Sequence, residues 1–188
     1  MNWFIHIDHQ LFFFINQQLA NSFFDVLMPL VRNKLTWIPL YMLILAFLVW
    51  KYPKSWWKML LSILLTVALT DSISSHLFKP LFHRIRPCHA AGIAENARLL
   101  LNHCSGGYSF TSSHAANHFG LAIIFSLLLA KHGRWVWPVF LLWASLISFA
   151  QIYVGVHYPA DVAGGIVTGL FCGFFSWCLY QKIFIHNL

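Results

Sequence analysis

Residues Trp135–Val154 read WVWPVFLLWASLISFAQIYV, a run without a single charged side chain. A helix rises 1.5 Å per residue, so about 20 apolar residues cross the roughly 30 Å hydrocarbon core of a bilayer. The run therefore predicts a transmembrane helix. Outward from it, four further stretches read the same way: Leu35–Trp50 and Trp57–Leu77 before it, Ser112–Ala130 just ahead, and Pro159–Ile183 after it. The predicted fold class is all-α, a polytopic membrane helix bundle of five to six transmembrane helices. The apolar stretches are continuous rather than alternating, which excludes a lipid-facing β-barrel.

Composition points the same way. Of the 188 residues, 59% are hydrophobic and 9% charged, against about 25% charged in an ordinary soluble domain. Disorder needs the opposite balance. A soluble core is excluded because too little polar surface exists to cover it.

The organisation follows from where polarity interrupts the spans. Residues 1–34 read as an N-terminal amphipathic or re-entrant helical segment. Leu11–Val31 is apolar but broken by Asn16, Gln17, Gln18, Asn21 and Asp25, a composition that favours the interface over a crossing. Residues 35–183 form the membrane domain, and residues 79–110 a polar extracytoplasmic loop within it. Met1–Gln10 lacks a basic n-region and a following small-residue cleavage site, so no cleavable signal peptide is expected. Lys51, Lys54 and Lys58, then Lys131 and Arg134, then Lys182, all fall on one membrane face. By the positive-inside rule that face is cytoplasmic, and the long loop lies outside.

The net charge is +7, with twelve Lys and Arg against Asp8, Asp25, Asp71, Glu95 and Asp161. In this chain the excess combines cytoplasmic loop charge with an anionic substrate, and nucleic acid is not an expected partner. Cys88 and Cys104 flank the outward loop, where an oxidising compartment permits a disulfide; closing such a loop is worth about 3 kcal/mol in the chain-entropy model. Cys172 and Cys178 read as small core residues of the last span. Gly165, Gly169 and Gly173 recur every four residues, the small-residue stripe that lets helices approach closely.

Three polar clusters stand at span ends on the outward face. In Lys79-Pro-Leu-Phe-His-Arg-Ile-Arg86-Pro87, two cations seven residues apart would share a face if the stretch is helical. Arg offers a planar fork to phosphate and Lys a point charge. In Ser109-Phe-Thr-Ser-Ser-His114, a hydroxyl caps the start of a helix whose free N–H groups suit a phosphate. His114 in that first turn can donate a proton. His118 follows four residues on, but a metal site needs a third ligand that the sequence does not offer, so no metal and no cofactor are expected. In Gly155-Val-His157-Tyr-Pro159-Ala-Asp161, Pro159 suits a first helical position and Asp161 can orient the imidazole of His157. Two histidines, one held by an acid, with cations and a helix N-terminus describe phosphoryl transfer: one His attacks phosphorus and the other protonates the leaving oxygen.

At these residues the chain resembles the type-2 phosphatidic acid phosphatases, lipid phosphatases related to vanadium haloperoxidases. Their signature is Lys-x6-Arg-Pro, Pro-Ser-Gly-His and Ser-Arg-x5-His-x3-Asp. Here it reads Lys79-x6-Arg86-Pro87, Thr111-Ser112-Ser113-His114 and Ala150-Gln151-x5-His157-x3-Asp161. The resemblance implies an integral membrane, metal-independent phosphatase, with 35–183 as its phosphatase domain. Its substrate would be a lipid phosphate monoester or diphosphate of the undecaprenyl diphosphate, phosphatidylglycerol phosphate, phosphatidic acid or lipid A type. His157 would be the nucleophile through a phosphohistidine, Asp161 its orienting acid and His114 the general acid. Lys79, Arg86, Ser112 and Ser113 would bind phosphate. The implied location is a bacterial inner membrane with the site on the periplasmic or outer face, where membrane lipids are the partners.

One departure matters. Gln151 stands where the family has an arginine on the phosphate, and losing a comparable donor costs about 10²–10³ in rate. Three readings stay open. Arg84 supplies the charge, with Gln151 as a neutral donor; the substrate tolerates a neutral donor; or the protein is a weakened lipid-phosphate binder. A lipid phosphotransferase is the further alternative. The expectation from the sequence is that Gln151→Arg raises or preserves turnover.

Overall fold

The computed structural model describes residues 2–185, which are helical throughout the membrane region with no strand among them. The chain opens with α1 (Asn2–Phe13), a wide turn over Phe14–Gln18, and α2 (Ser22–Arg32). Then come α3 (Ile38–Lys51) and α4 (Trp56–Ser72), the latter continued by a wide π-type segment (Ile73–Phe78) into α5 (Lys79–Phe82). After the long loop follow α6 (Ser113–Leu128), α7 (Val136–Tyr153) and α8 (Pro159–Phe184).

Four stretches are long and apolar enough to cross a membrane: Lys34–Lys51, Trp56–Phe82, Val136–Tyr153 and Pro159–Phe184. The fifth expected span, α6, has 16 residues. It is buried on almost every side, from Ala115 through Leu128, as a helix apolar all round must be. It forms the centre of the bundle, with α4, α7 and α8 packed around it. The outer faces of these helices carry large apolar side chains open to lipid, such as Leu142 at 72% exposure and Phe171 at 66%.

The glycine stripe explains the tightest contact. A Cβ on Gly173 would lie 2.7 Å from the carbonyl oxygen of Gly120, and one on Gly165 2.5 Å from that of Ser112. Helices α6 and α8 therefore touch backbone to backbone, which places the start of α6 beside the start of α8. Cys172 is buried in α8 as expected, but Cys178 is exposed on its outer face rather than in the core.

One boundary differs from the sequence reading. The second span does not end near Leu77 but runs to Phe82. The π-type segment carries it on, with the Lys79 N–H bonded to the Ser74 carbonyl, so Lys79 stands on a helix rather than in the loop. In the N-terminal segment, α1 and α2 have 12 and 11 residues, short of a crossing. The polar residues that interrupt its apolar run have a structural purpose. Asn16 is fully buried and donates to the carbonyls of Arg98 (2.9 Å) and Tyr153 (2.8 Å), while accepting the Arg98 N–H at 2.8 Å. Asp25 pairs with Arg98 and accepts the Tyr153 hydroxyl at 2.6 Å. The segment is thereby stitched to the loop and to the end of α7. Cys88 and Cys104 are joined in the expected disulfide.

Candidate active site

The three clusters meet where α5, α6 and α8 begin or end at one end of the bundle. The last turn of the α4–α5 rod presents Lys79, whose Nζ donates to Ser113 Oγ at 2.8 Å; Ser113 Oγ also meets Ser74 Oγ at 2.9 Å. Ser112 is the N-cap of α6, its hydroxyl accepting the Ala115 N–H at 3.5 Å and its own N–H donating to the Asp161 carbonyl at 2.9 Å. The cap leaves the N–H groups of Ser113 and His114 without an intrahelical acceptor, as at any helix start. His114 is half-buried in that first turn.

The turn from α7 to α8 depends on Gly155. Its φ of +88° is a left-handed conformation, and a Cβ there would collide with the Arg98 carbonyl. The turn closes with the His157 N–H on the Gln151 carbonyl at 3.3 Å and sets the His157 side chain in the interior. Arg86 Nη1 donates to His157 Nε2 at 2.9 Å and to the Val156 carbonyl at 3.1 Å, and Arg86 Nε to the Gly107 carbonyl at 3.3 Å. A guanidinium only donates, so Nε2 carries the lone pair and Nδ1 the proton. Nδ1 faces Asp161 Oδ2 at 3.6 Å and Ser109 Oγ at 3.4 Å. Burial pushes the His157 pKa down to about 4, opposed by the hydrogen bond to Asp161 and reinforced by the charge of Arg86. The imidazole is neutral and its Nε2 lone pair points at a cation.

Asp161 is fully buried and held from several sides. Oδ2 accepts from Ser109 Oγ and from the Tyr158 N–H at 2.9 Å, and Oδ1 accepts from Arg84 Nη1 at 2.8 Å. Arg84 stands differently from the other expected phosphate-binding residues: its guanidinium is shared between Asp161 and Asp8, so its charge is already paired in the folded chain. It backs the carboxylate that faces His157.

Gln151 is engaged within the fold as well. Its side chain is fully buried, its amide NH₂ on the Ile147 carbonyl at 3.4 Å and its Oε1 accepting from Arg32 Nε at 3.3 Å. Lys79, Ser113, Ser112, Asp161, His157 and Arg86 are thus linked by contacts, with His114 in the adjoining first turn of α6 and Arg84 and Gln151 behind them.

Metal-ligand geometry is limited. His118 uses Nδ1 on the His114 carbonyl (2.7 Å) and Nε2 on the Tyr41 hydroxyl (3.3 Å), so it does not pair with His114 as a ligand. Cys88, His89 and Cys104 lie close enough to share an ion, but the two sulfurs are bonded to each other.

The sequence reading missed Arg32 and Asp8, which lie in the segment it set apart as interfacial. It named Ser109 only as part of a helix-capping run, whereas the structure puts its hydroxyl on Asp161. The one available signal was the rarity of acids: of five, Asp8, Asp25 and Asp161 all sit in ion pairs.

This arrangement belongs to a class of membrane phosphatases built on a helical bundle. The PAP2 superfamily model matches residues 55–185, and the chain belongs to that superfamily. It is 35% identical to a lipid A 4'-phosphatase of Bacteroides thetaiotaomicron over 179 residues, 93% of this chain and 76% of that protein. A lipid A 4'-phosphatase of Porphyromonas gingivalis is 31% identical over 183 residues, 96% of this chain and 75% of that one. The crystal structure of Aquifex aeolicus LpxE matches with a TM-score of 0.67 at 28% identity, covering 90% of this chain and 93% of that one. The chain is an integral membrane phosphatase of the PAP2 family.

Proposed function

We propose that this phosphatase removes a phosphate ester from a membrane lipid at the outer face of a bacterial inner membrane, through a phosphohistidine on His157. The observation that carries the reading is the 2.9 Å contact between Arg86 Nη1 and His157 Nε2, with Asp161 behind the other ring nitrogen. A lone pair so held lies beside a cation that can take a phosphate oxygen.

The chemistry follows. The phosphate lies among Lys79, Arg86 and the N–H groups at the start of α6, replacing the Arg86–His157 bond. The Nε2 lone pair forms a bond to phosphorus as the bond to the lipid oxygen breaks. His114, protonated beside the phosphate anion, gives its proton to that leaving oxygen. His114 then takes a proton from water, the oxygen bonds to phosphorus, the P–N bond breaks and inorganic phosphate departs. Asp161 stabilises the positive imidazole of His157 in the transfer step.

A lipid A phosphate is the favoured substrate, because relatives of that description align with nearly the whole chain. A cavity of about 390 Å³ among α3, α4 and α6 supports a lipid. Ile44, Ile63, Val67 and Leu121 line it, and Asn117 and His118 bring it within one turn of His114. The same reading treats residues 35–183 as the phosphatase domain and 1–34 as a segment docked on its outer end. The positive-inside pattern supports the outer orientation.

The test is phosphate release in EDTA from lipid A, undecaprenyl diphosphate, phosphatidylglycerol phosphate and phosphatidic acid, beside His157→Ala. Lipid A is expected to turn over fastest, and the variant to release nothing. Labelled substrate is expected to leave an acid-labile, alkali-stable label on the protein. Equal activity in His157→Ala would reject the mechanism, and a preference for another lipid would reject the substrate.

A further inference from the structure

We propose that Arg32, carried on α2 outside the three signature motifs, is the third cation of the phosphate pocket and replaces the arginine absent at position 151. The inference rests on the phosphate-pocket reading above and adds a residue to it.

Arg32 Nε donates to Gln151 Oε1 at 3.3 Å, so the guanidinium meets the signature position itself. Its terminal amino groups make no hydrogen bond to a described residue, and it pairs with no carboxylate among them. The one acid of the site, Asp161, is already bonded to Arg84. The charge of Arg32 also acts on Arg86, the cation bonded to His157. A half-buried guanidinium, aimed among other cations without a counter-charge, is a costly arrangement in the absence of an anion. A phosphate relieves it, and the planar fork of Arg suits two phosphate oxygens.

The position is built rather than incidental. Arg32 closes α2, where a cation meets the negative end of the helix dipole. The helix is held by the bond of Tyr153 to Asp25 and, just beyond its end, by Trp37 Nε1 on the Val31 carbonyl at 2.7 Å. Gln151 then has a definite role. An arginine there would confront Arg32, whereas glutamine offers it an acceptor.

The exchange is testable by moving the charge. Arg32→Ala, Arg32→Lys, Gln151→Arg and Arg32→Ala/Gln151→Arg are assayed for lipid phosphate release and for binding of inorganic phosphate, with detergent-solubilised protein checked by elution profile and Tm. Arg32→Ala is expected to lower kcat/KM by about 10²–10³ and to weaken phosphate binding at least tenfold, with Arg32→Lys in between. Gln151→Arg alone is expected to reduce turnover, and the double variant to recover at least tenfold over Arg32→Ala. Folded Arg32→Ala with phosphate binding and turnover within threefold of the parent would overturn the proposal. If Arg32→Ala does not fold, the double variant decides: activity with the charge moved to position 151 supports the exchange, and a folded, inactive double variant rejects it. If the parent releases phosphate from no lipid, the function reading fails while phosphate binding to the parent and to Arg32→Lys still decides whether Arg32 holds an anion.

Discussion

Arg84 bonds Asp161 through the carboxylate oxygen opposite the one that faces His157, at 2.8 Å, and ties the same guanidinium to Asp8 of the N-terminal helix. Arg84, within the first motif, thus links Asp161 to a segment outside the signature motifs. Removing the cation leaves a buried, uncompensated carboxylate, a change that costs about 3–5 kcal/mol in comparable cases. Arg84→Met is therefore expected to lower Tm and to cut kcat at least tenfold with little change in KM. Arg84→Lys should recover part of both. A kcat equal to the parent's in a folded Arg84→Met protein would show that Asp161 needs no such support.

The acid limit of activity tests the state of His157. Its reactive form is the neutral imidazole, and its pKa lies at about 4 through burial, below the ordinary 6.5. A depressed pKa keeps the nucleophile neutral as pH falls through 6.5 and loses it only near 4. The limb of kcat/KM assigned to His157 should lie well below pH 6.5, with ionisation of the substrate followed separately by phosphorus NMR. A His157 limb at 6.5 would contradict the buried, cation-facing geometry.

Asn16 should be far more sensitive than an interfacial residue. Its side chain satisfies three backbone groups of the loop and α7, and each buried group left unpaired costs about 1–3 kcal/mol. Asn16→Leu is expected to lower Tm sharply and to reduce activity, since the turn leading into α2 loses its tie to the loop and α7. Gln18→Leu, at an exposed neighbouring position, serves as the comparison and should leave Tm within about a degree. Equal effects of the two would show that the N-terminal segment is not docked through Asn16.

The Cys88–Cys104 bridge closes a loop spanning 16 residues that follows directly on Arg86. Loop-closure entropy gives it about 3 kcal/mol. Reduction, or Cys88→Ser with Cys104→Ser, is expected to lower Tm and raise KM more than it lowers kcat, because Arg86 loses its bond to Gly107 while His157 and His114 stay on helix ends. Unchanged Tm on reduction would show that the loop is held by other contacts.

Helix contact at Gly169 offers a structural control. A Cβ there would strike the Ala116 carbonyl and lie 2.8 Å from the Gly120 backbone nitrogen. Gly169→Leu should separate α6 from α8 and abolish folding or activity, whereas Phe171→Leu on the lipid face should be silent in both measurements.

Apolar runs such as Trp135–Val154 determined the membrane bundle by themselves, because bilayer thickness converts a count of uncharged residues directly into a crossing. Motif spacing likewise brought Lys79, Arg86, His114, His157 and Asp161 into view, since all but Arg86 stand in or beside the end of a helix that the runs define, and Arg86 follows in the loop. The fates of Arg84 and Gln151 were not legible in the same way. Spacing places a residue along the chain but does not say which way a long side chain turns, nor which partner competes for it. Arg84 lies two residues from Arg86 yet turns to two carboxylates, and Gln151 keeps the signature position yet serves Arg32 from 119 residues away. Only tertiary packing decided those pairings, because a buried charge goes to whichever opposite charge or acceptor the folded chain brings within a few ångströms, whatever its distance in sequence.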